Sequence, residues 1–219
     1  MIQLYKSPKI LKSIYPDLIW DINSEEEIFL TFDDGPHPEI TSWVLGQLDE
    51  YNAKATFFCV GKNLDDFSET AIEATKRGHL LANHSQNHED GRRTEDEAYF
   101  QSIATCWDKI VDIQGNKIKL LRPPYGQIRK RQIQQLTSEY RIIMWSHLAW
   151  DFKPNLKIQN SIENLKKAKP GSIIVFHDNE KSFQNLRQIL PEVLTHWASK
   201  NYKFNTLSNV SRYTRTYFP

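Results

Sequence analysis

The run Ile28-Phe29-Leu30-Thr31-Phe32-Asp33-Asp34-Gly35-Pro36 decides how the chain is read. Its apolar half has the look of a buried strand, and its polar half that of a tight turn. Two adjacent carboxylates repel each other and resist burial. A cation beside them removes that cost. His84-Ser85-Gln86-Asn87-His88 offers further ligands: two histidines four residues apart, which a helical turn would place on one face. The two stretches together predict a divalent metal held by one Asp and both His, with the other Asp left for acid/base work. Three protein ligands leave positions open for water and substrate, the arrangement of a catalytic rather than a structural site.

Outward from this run, short apolar and often β-branched stretches recur at 28–32, 55–60, 79–83, 118–121, 141–146, 172–177 and 203–207. Continuous apolar runs of this kind suit parallel strands covered on both faces. Helical spacing fills the intervals. Ile40, Val44, Leu48 and Tyr51 share a face, as do Phe100, Ile103, Trp107 and Ile110. Thr94 with Glu97 predicts a capping box at the start of the second helix, and Gly115 its end. A third stripe holds Leu186, Ile189, Leu190, Val193, Leu194 and Trp197, with a kink expected at Pro191. Alternating strands and helices give an α/β domain. About seven parallel strands in this length fit a distorted or incomplete (β/α) barrel, with a doubly wound open sheet as the alternative. The unusual polar residues favour the barrel, because they follow several different strands. Asp33 and Asp34 follow the first, His84 the third, Arg122 the fourth and Asp151 the fifth, while His177 ends the sixth. Barrel enzymes build their sites at that rim.

Arg122-Pro123-Pro124-Tyr125-Gly126 reads as a stiff turn that offers a fixed cation to a carboxylate and a rigid backbone N–H to a substrate oxygen. A strand runs straight into His177, and Asp151 at the preceding strand end can orient that imidazole and raise its pKa. His37, just after the Asp turn, can line the cleft. His79, His147 and His196 read as packing or surface residues. Cys59 and Cys106 read as buried thiols; two cysteines make no disulfide framework.

The chain has 219 residues, six Trp and a net charge of +1. That length supports one domain with a sizeable core. Nothing in the charge balance argues for nucleic acid, and Arg129-Lys130-Arg131 reads as a solvated helix start. No stretch is long and apolar enough to cross a bilayer. Lysines at 6, 9 and 12 interrupt the N-terminal segment before a signal-peptide core develops, so a cytoplasmic location is expected, with a secreted or envelope location left open by a removed signal. Residues 1–27 read as an N-terminal extension packed on a catalytic domain at 28–219. A monomer is expected.

These motifs resemble the polysaccharide deacetylase family, carbohydrate esterase family four, which includes the nodulation-factor chitooligosaccharide deacetylase. The matching runs, in order, are Thr31–Pro36, His84–His88, Arg122–Gly126, Trp145 through Asp151-Phe152, and Val175-Phe176-His177. The resemblance implies Asp33 as general base and Asp34, His84 and His88 as ligands of zinc, with cobalt, nickel or manganese able to substitute. It implies that Arg122 holds Asp33, that His177 is the general acid tuned by Asp151, and that the Tyr125 N–H meets the oxyanion while its ring lines the groove. Pro124, Phe152, Val175 and His37 join Tyr125 on the substrate side. Phe152 stands where the family usually has Trp, and Val175 where it usually has Leu. The expected activity is metal-dependent removal of N-acetyl groups from N-acetylglucosamine-containing glycans, of chitooligosaccharide or peptidoglycan type, with release of acetate. O-acetyl xylan or a small amide is the alternative substrate, and a non-catalytic carbohydrate-binding protein the alternative class.

Overall fold

The apolar runs form strands β1 (Glu27–Asp33), β2 (Ala55–Cys59), β3 (Leu80–Asn83), β4 (Leu120–Leu121), β5 (Arg141–Ile142), β6 (His147–Leu148), β7 (Ile173–His177) and β8 (Lys203–Phe204). The helices are α1 (Lys9–Ile14), α2 (Pro38–Asp49), α3 (Gly61–Asp66), α4 (Ser68–Lys76), α5 (Asp96–Gln114), α6 (Lys130–Leu136), α7 (Ile158–Leu165) and α8 (Glu180–Ser199). The structure is a computed structural model and describes residues 3–115 and 118–210, so both ends of the expected two-part division lie outside the described residues. Strands follow in the order β5-β4-β3-β2-β1-β7-β6, all paired in parallel, with β8 beside the start of β1. The sheet is a curled half-barrel of seven parallel strands plus that short addition, not a doubly wound open sheet.

Strand alternation creates two cores. Leu30, Phe32, Phe57, Ile174 and Phe176 pack outward against Val44, Leu48, Ile103, Ile110, Leu190 and Trp197 from the helices. Phe29, Phe58, Leu80, Ala82, Leu120, Ile143 and Ile173 form the second cluster, inside the curl. Each buried Val, Leu, Ile or Phe among them contributes about 1.5–3 kcal/mol through burial. Register levels the strand ends: Asp33 lies opposite Phe58 of β2 and His177 of β7. The residue types that carry chemistry therefore arrive at one rim.

Several local expectations are corrected. The run 141–146 is not one strand. Only Arg141 and Ile142 pair with β4, and the chain then crosses the open seam to a separate strand, β6, which pairs with β7. The carbonyls of Ile143 and Met144, outside any strand, accept from the Arg122 guanidinium instead. Thr94 and Glu97 form no capping box. Thr94 Oγ1 donates to the Asp90 carbonyl, and α5 starts at Asp96 without a side-chain cap. Gly115 ends α5 in the left-handed region, φ 64°, as expected. α8 continues through Pro191 to Ser199. His84 and His88 lie in a loop, not on a helical turn; Ser85 and His88 are left-handed, with φ of 63° and 60°.

The segment before β1 laces the seam. Ser7 and Ile19 donate backbone N–H groups to Ser146 and Ile142, Ile22 donates to Gly171, and Leu148 donates to the Tyr5 carbonyl. Cys59 and Cys106 are buried and free. Among the described residues, no helix is long and apolar enough to cross a membrane.

Candidate active site

The pleat sends the two neighbouring carboxylates different ways. Asp33 ends β1 and turns into the curl, where its side chain is 6% exposed. Its Oδ1 lies 2.6 Å from Arg122 Nη1. Arg122 is wholly buried and all three of its guanidinium nitrogens donate. Nη1 also donates to Thr31 Oγ1, Nε to the Ile143 carbonyl and Nη2 to the Met144 carbonyl, while the guanidinium lies 4.0 Å over the Phe58 ring. A bare point charge could not make this set of contacts. Thr31 in turn donates to the Ile174 carbonyl at 2.7 Å, which locks the general-base candidate to β7.

Asp34 adopts a left-handed conformation, φ 79°, and swings to the rim. Its Oδ1 lies 3.4 Å from His84 Nε2 and 3.0 Å from His88 Nε2. The His84 ring is oriented from behind: Nδ1 sits 2.7 Å from the Arg122 carbonyl, and a carbonyl only accepts, so Nδ1 carries the proton. The His84 Nε2 lone pair then points at a carboxylate oxygen that itself has no hydrogen-bond donor. Two acceptors aimed at each other inside a protein call for a cation between them. Asp34, His84 and His88 each place one ligand atom within 4.8 Å of the others, as a shared ion requires.

His177 Nδ1 lies 2.7 Å from Asp151 Oδ1, and the other Asp151 oxygen accepts the His177 backbone N–H at 2.8 Å. Asp151 is fully buried. Burial lowers the pKa of His177, but Asp151, with Asp34 and Asp33 behind it, pushes it up to about 9. The Nδ1–H is held by the carboxylate, so Nε2 is the end free to exchange a proton with a substrate.

The substrate-side residues divide. Tyr125 is 65% exposed in a left-handed turn, φ 59°, and its ring stands edge-on to His88 at 4.6 Å. The N–H groups of Gly126 and Gln127 are consumed by the turn itself. Pro124 beneath it is buried. Phe152 stands edge-on to His177, ring centres 5.0 Å apart, and Trp150 packs against Phe152. Val175 is buried in the wall, on the strand face that carries His177 two residues later. His37 sits at the start of α2, where Nδ1 accepts from the N–H groups of Glu39 and Ile40. A groove of about 780 Å³ runs from His88 and Tyr125 past Asp90, Arg92, Arg93 and Gln127.

Other residues at the site carry no motif. Asp178 is wholly buried. It accepts the Gly35 N–H at 3.1 Å and the Thr41 hydroxyl at 2.5 Å, tying the Asp33–Gly35 turn to α2. Burial and the two neighbouring carboxylates outweigh the Thr41 hydrogen bond and push its pKa up to about 7. Asn83 Oδ1 accepts the N–H of left-handed Ser85. Asn63 and Asn179 both bond to Asp34.

The sequence matches the polysaccharide deacetylase family profile over residues 21–141. The chain belongs to the polysaccharide deacetylase family. The match starts inside the segment read as an extension and stops before β6 and β7, which supply Asp151 and His177 to the same rim. A peptidoglycan-N-acetylglucosamine deacetylase of Bacillus cereus is 30% identical over 89% of this chain and 92% of its own length. A chitooligosaccharide deacetylase of Azorhizobium caulinodans is 33% identical over 71% of this chain and 75% of its own. Among solved structures, a peptidoglycan N-acetylglucosamine deacetylase superposes with a TM-score of 0.84 at 27% identity, covering 93% of this chain and 97% of that one.

Proposed function

We propose that this polysaccharide deacetylase hydrolyses the N-acetyl groups of N-acetylglucosamine-containing glycans, releasing acetate and leaving a free amino sugar. The observation that carries the reading is the register of β1 against β7. It sets the Arg122-held Asp33 directly opposite the Asp151-held His177, with the Asp34–His84–His88 cluster beside them. Two imidazole nitrogens and one carboxylate oxygen suit zinc, with cobalt, nickel or manganese as substitutes. When bound, such a cation supplies a Lewis acid that polarises the acetamide carbonyl and brings the pKa of a water toward neutrality.

The chain supplies the rest. Asp33, fixed by Arg122, takes the proton that the attacking water gives up. The Tyr125 backbone N–H, on its stiff turn, meets the carbonyl oxygen as it gains charge. His177 Nε2 gives a proton to the departing nitrogen. An amide needs that step, because an unprotonated amine anion is a very poor leaving group. His177 is suited to it, since its raised pKa keeps it charged at neutral pH. The exposed Tyr125 ring offers a sugar a flat face beside the ligands.

The test is acetate release from N-acetylglucosamine oligomers, with chelator and then with zinc or cobalt restored, run beside peptidoglycan fragments and acetylxylan. Release from the N-acetylated glycans that chelator stops and metal restores is the expected result. Release from acetylxylan alone would overturn the N-acetyl assignment.

A further inference from the structure

Asp34 is gripped by the chain itself. Its backbone N–H donates to the Phe58 carbonyl at 3.2 Å, and its own carbonyl accepts from Asn63 Nδ2 at 2.7 Å. Its Oδ2 accepts from Asn179 Nδ2 at 2.6 Å. Oδ1 alone is left without a donor, and Oδ1 is the oxygen that faces both imidazoles. Every polar atom of this residue but one has a protein partner.

The Asn179 amide has no freedom to turn over. It is the N-cap of α8, and its Oδ1 accepts the Ser182 backbone N–H at 3.0 Å. An N–H cannot accept, so the carbonyl end must face the helix. The NH₂ end must then face Asp34, whose carboxylate can only accept. Both ends of the amide thus demand the same orientation. A 20-residue helix is used as the anchor for one carboxylate oxygen.

We propose that Asn179 is a positioning residue for the metal: it ties up Oδ2 of Asp34, presents Oδ1 as a single-oxygen ligand, and so preserves the coordination positions that water and substrate need. The inference rests on the metal site proposed above. Without this donor, Asp34 can rotate and offer both oxygens, which spreads its charge and takes up an open position. Partners that orient a metal ligand in this way typically contribute about 10–100-fold in metal affinity.

Asn179→Ser and Asn179→Gly test this, because both residues still start a helix acceptably while glycine has no side-chain donor and the serine hydroxyl stops one bond short of the Asn179 amide nitrogen. Zinc and cobalt affinities of the metal-free proteins are measured by competition with a chromophoric chelator. The visible absorption of the cobalt-loaded forms reads the coordination directly. Expected are affinities weaker by about 10–100-fold in both variants, an altered cobalt spectrum, and an unchanged melting temperature of the metal-free protein. Unchanged affinity in either variant would overturn the proposal. So would a loss of affinity that only tracks a lower metal-free melting temperature, since Asn179 would then serve the helix rather than the metal. If the native protein itself takes up no divalent cation, it is the metal-site reading that fails.

Discussion

Asp33 and Asp34 are neighbours in sequence and live in opposite physical worlds. Asp33 is buried in the curl against a guanidinium. Asp34 stands at the rim with one oxygen bonded and the other bare among imidazole nitrogens. The first is compensated by a cation built into the chain, the second by one that must come from solution. In the proposed function, one strand end thereby serves two tasks: a base whose geometry is fixed at folding, and a ligand whose charge is completed on binding. A single φ of 79° at Asp34 separates the two surroundings.

The largest way to break this contrast is to remove the built-in cation. Arg122→Ala leaves Asp33 buried and unpaired and frees the seam carbonyls of Ile143 and Met144, so a loss of about 3–5 kcal/mol is expected in urea unfolding. Arg122→Lys should not restore activity, because an ammonium cannot reach all of those acceptors. A native unfolding midpoint in Arg122→Ala would contradict the account of the base.

Next in size is the turn that separates the two carboxylates. A Cβ added at Gly35 would meet Asp178 Oδ2 at 2.2 Å, and Asp178 is wholly buried and cannot step aside. Gly35→Ala should cost about 1–3 kcal/mol through overpacking and lower kcat by displacing Asp33 and Asp34 together. Calorimetry and initial rates on the same preparation check both halves of this expectation.

A smaller effect sharpens the acid side. His177 has a folded-state pKa of about 9, against an ordinary value of 6.5. A raised pKa means that its contribution to stability is fully present below about pH 6.5 and is lost as pH rises through about 9. In its proposed role as general acid it must be protonated, so turnover should fall over that alkaline range. Asp151→Asn removes the main cause of the rise, and the alkaline limb of the pH–rate profile should move toward neutral pH. An unmoved limb would detach Asp151 from the acid's titration.

The smallest expected effect concerns His37. Its ring nitrogen caps α2, so His37→Ala should cost about 1 kcal/mol of stability, typical of a lost cap, with little change in kcat. A large loss of kcat at native stability would return His37 to the substrate.

Much of this site was legible in the sequence because the decisive chemistry is recorded locally. An Asp-Asp turn after an apolar strand, a His pair, an Arg-Pro-Pro turn and a strand ending in His each carry their meaning within a few residues. The half-barrel followed from where these runs fell, at the ends of several different strands. What stayed hidden depends on partners far away in the chain. β6 is two residues long and has no pattern of its own; it is a strand only because β7 offers it a ladder. The run 141–146 reads as one strand until Arg122 draws its carbonyls away. Thr94 has the spacing of a capping box, yet its hydroxyl serves the turn at Asp90. Asn63, Asn83 and Asn179 are single amides among many, and nothing in their neighbours announces that one reaches a carboxylate 145 residues away.

The most direct test of the division between the two carboxylates is to measure bound zinc and acetate release side by side in Asp33→Asn and His88→Ala. Asp33→Asn should retain zinc while losing about two to four orders of magnitude in rate, and His88→Ala should lose both zinc and rate. Full activity in Asp33→Asn, or native zinc content in His88→Ala, would contradict the account.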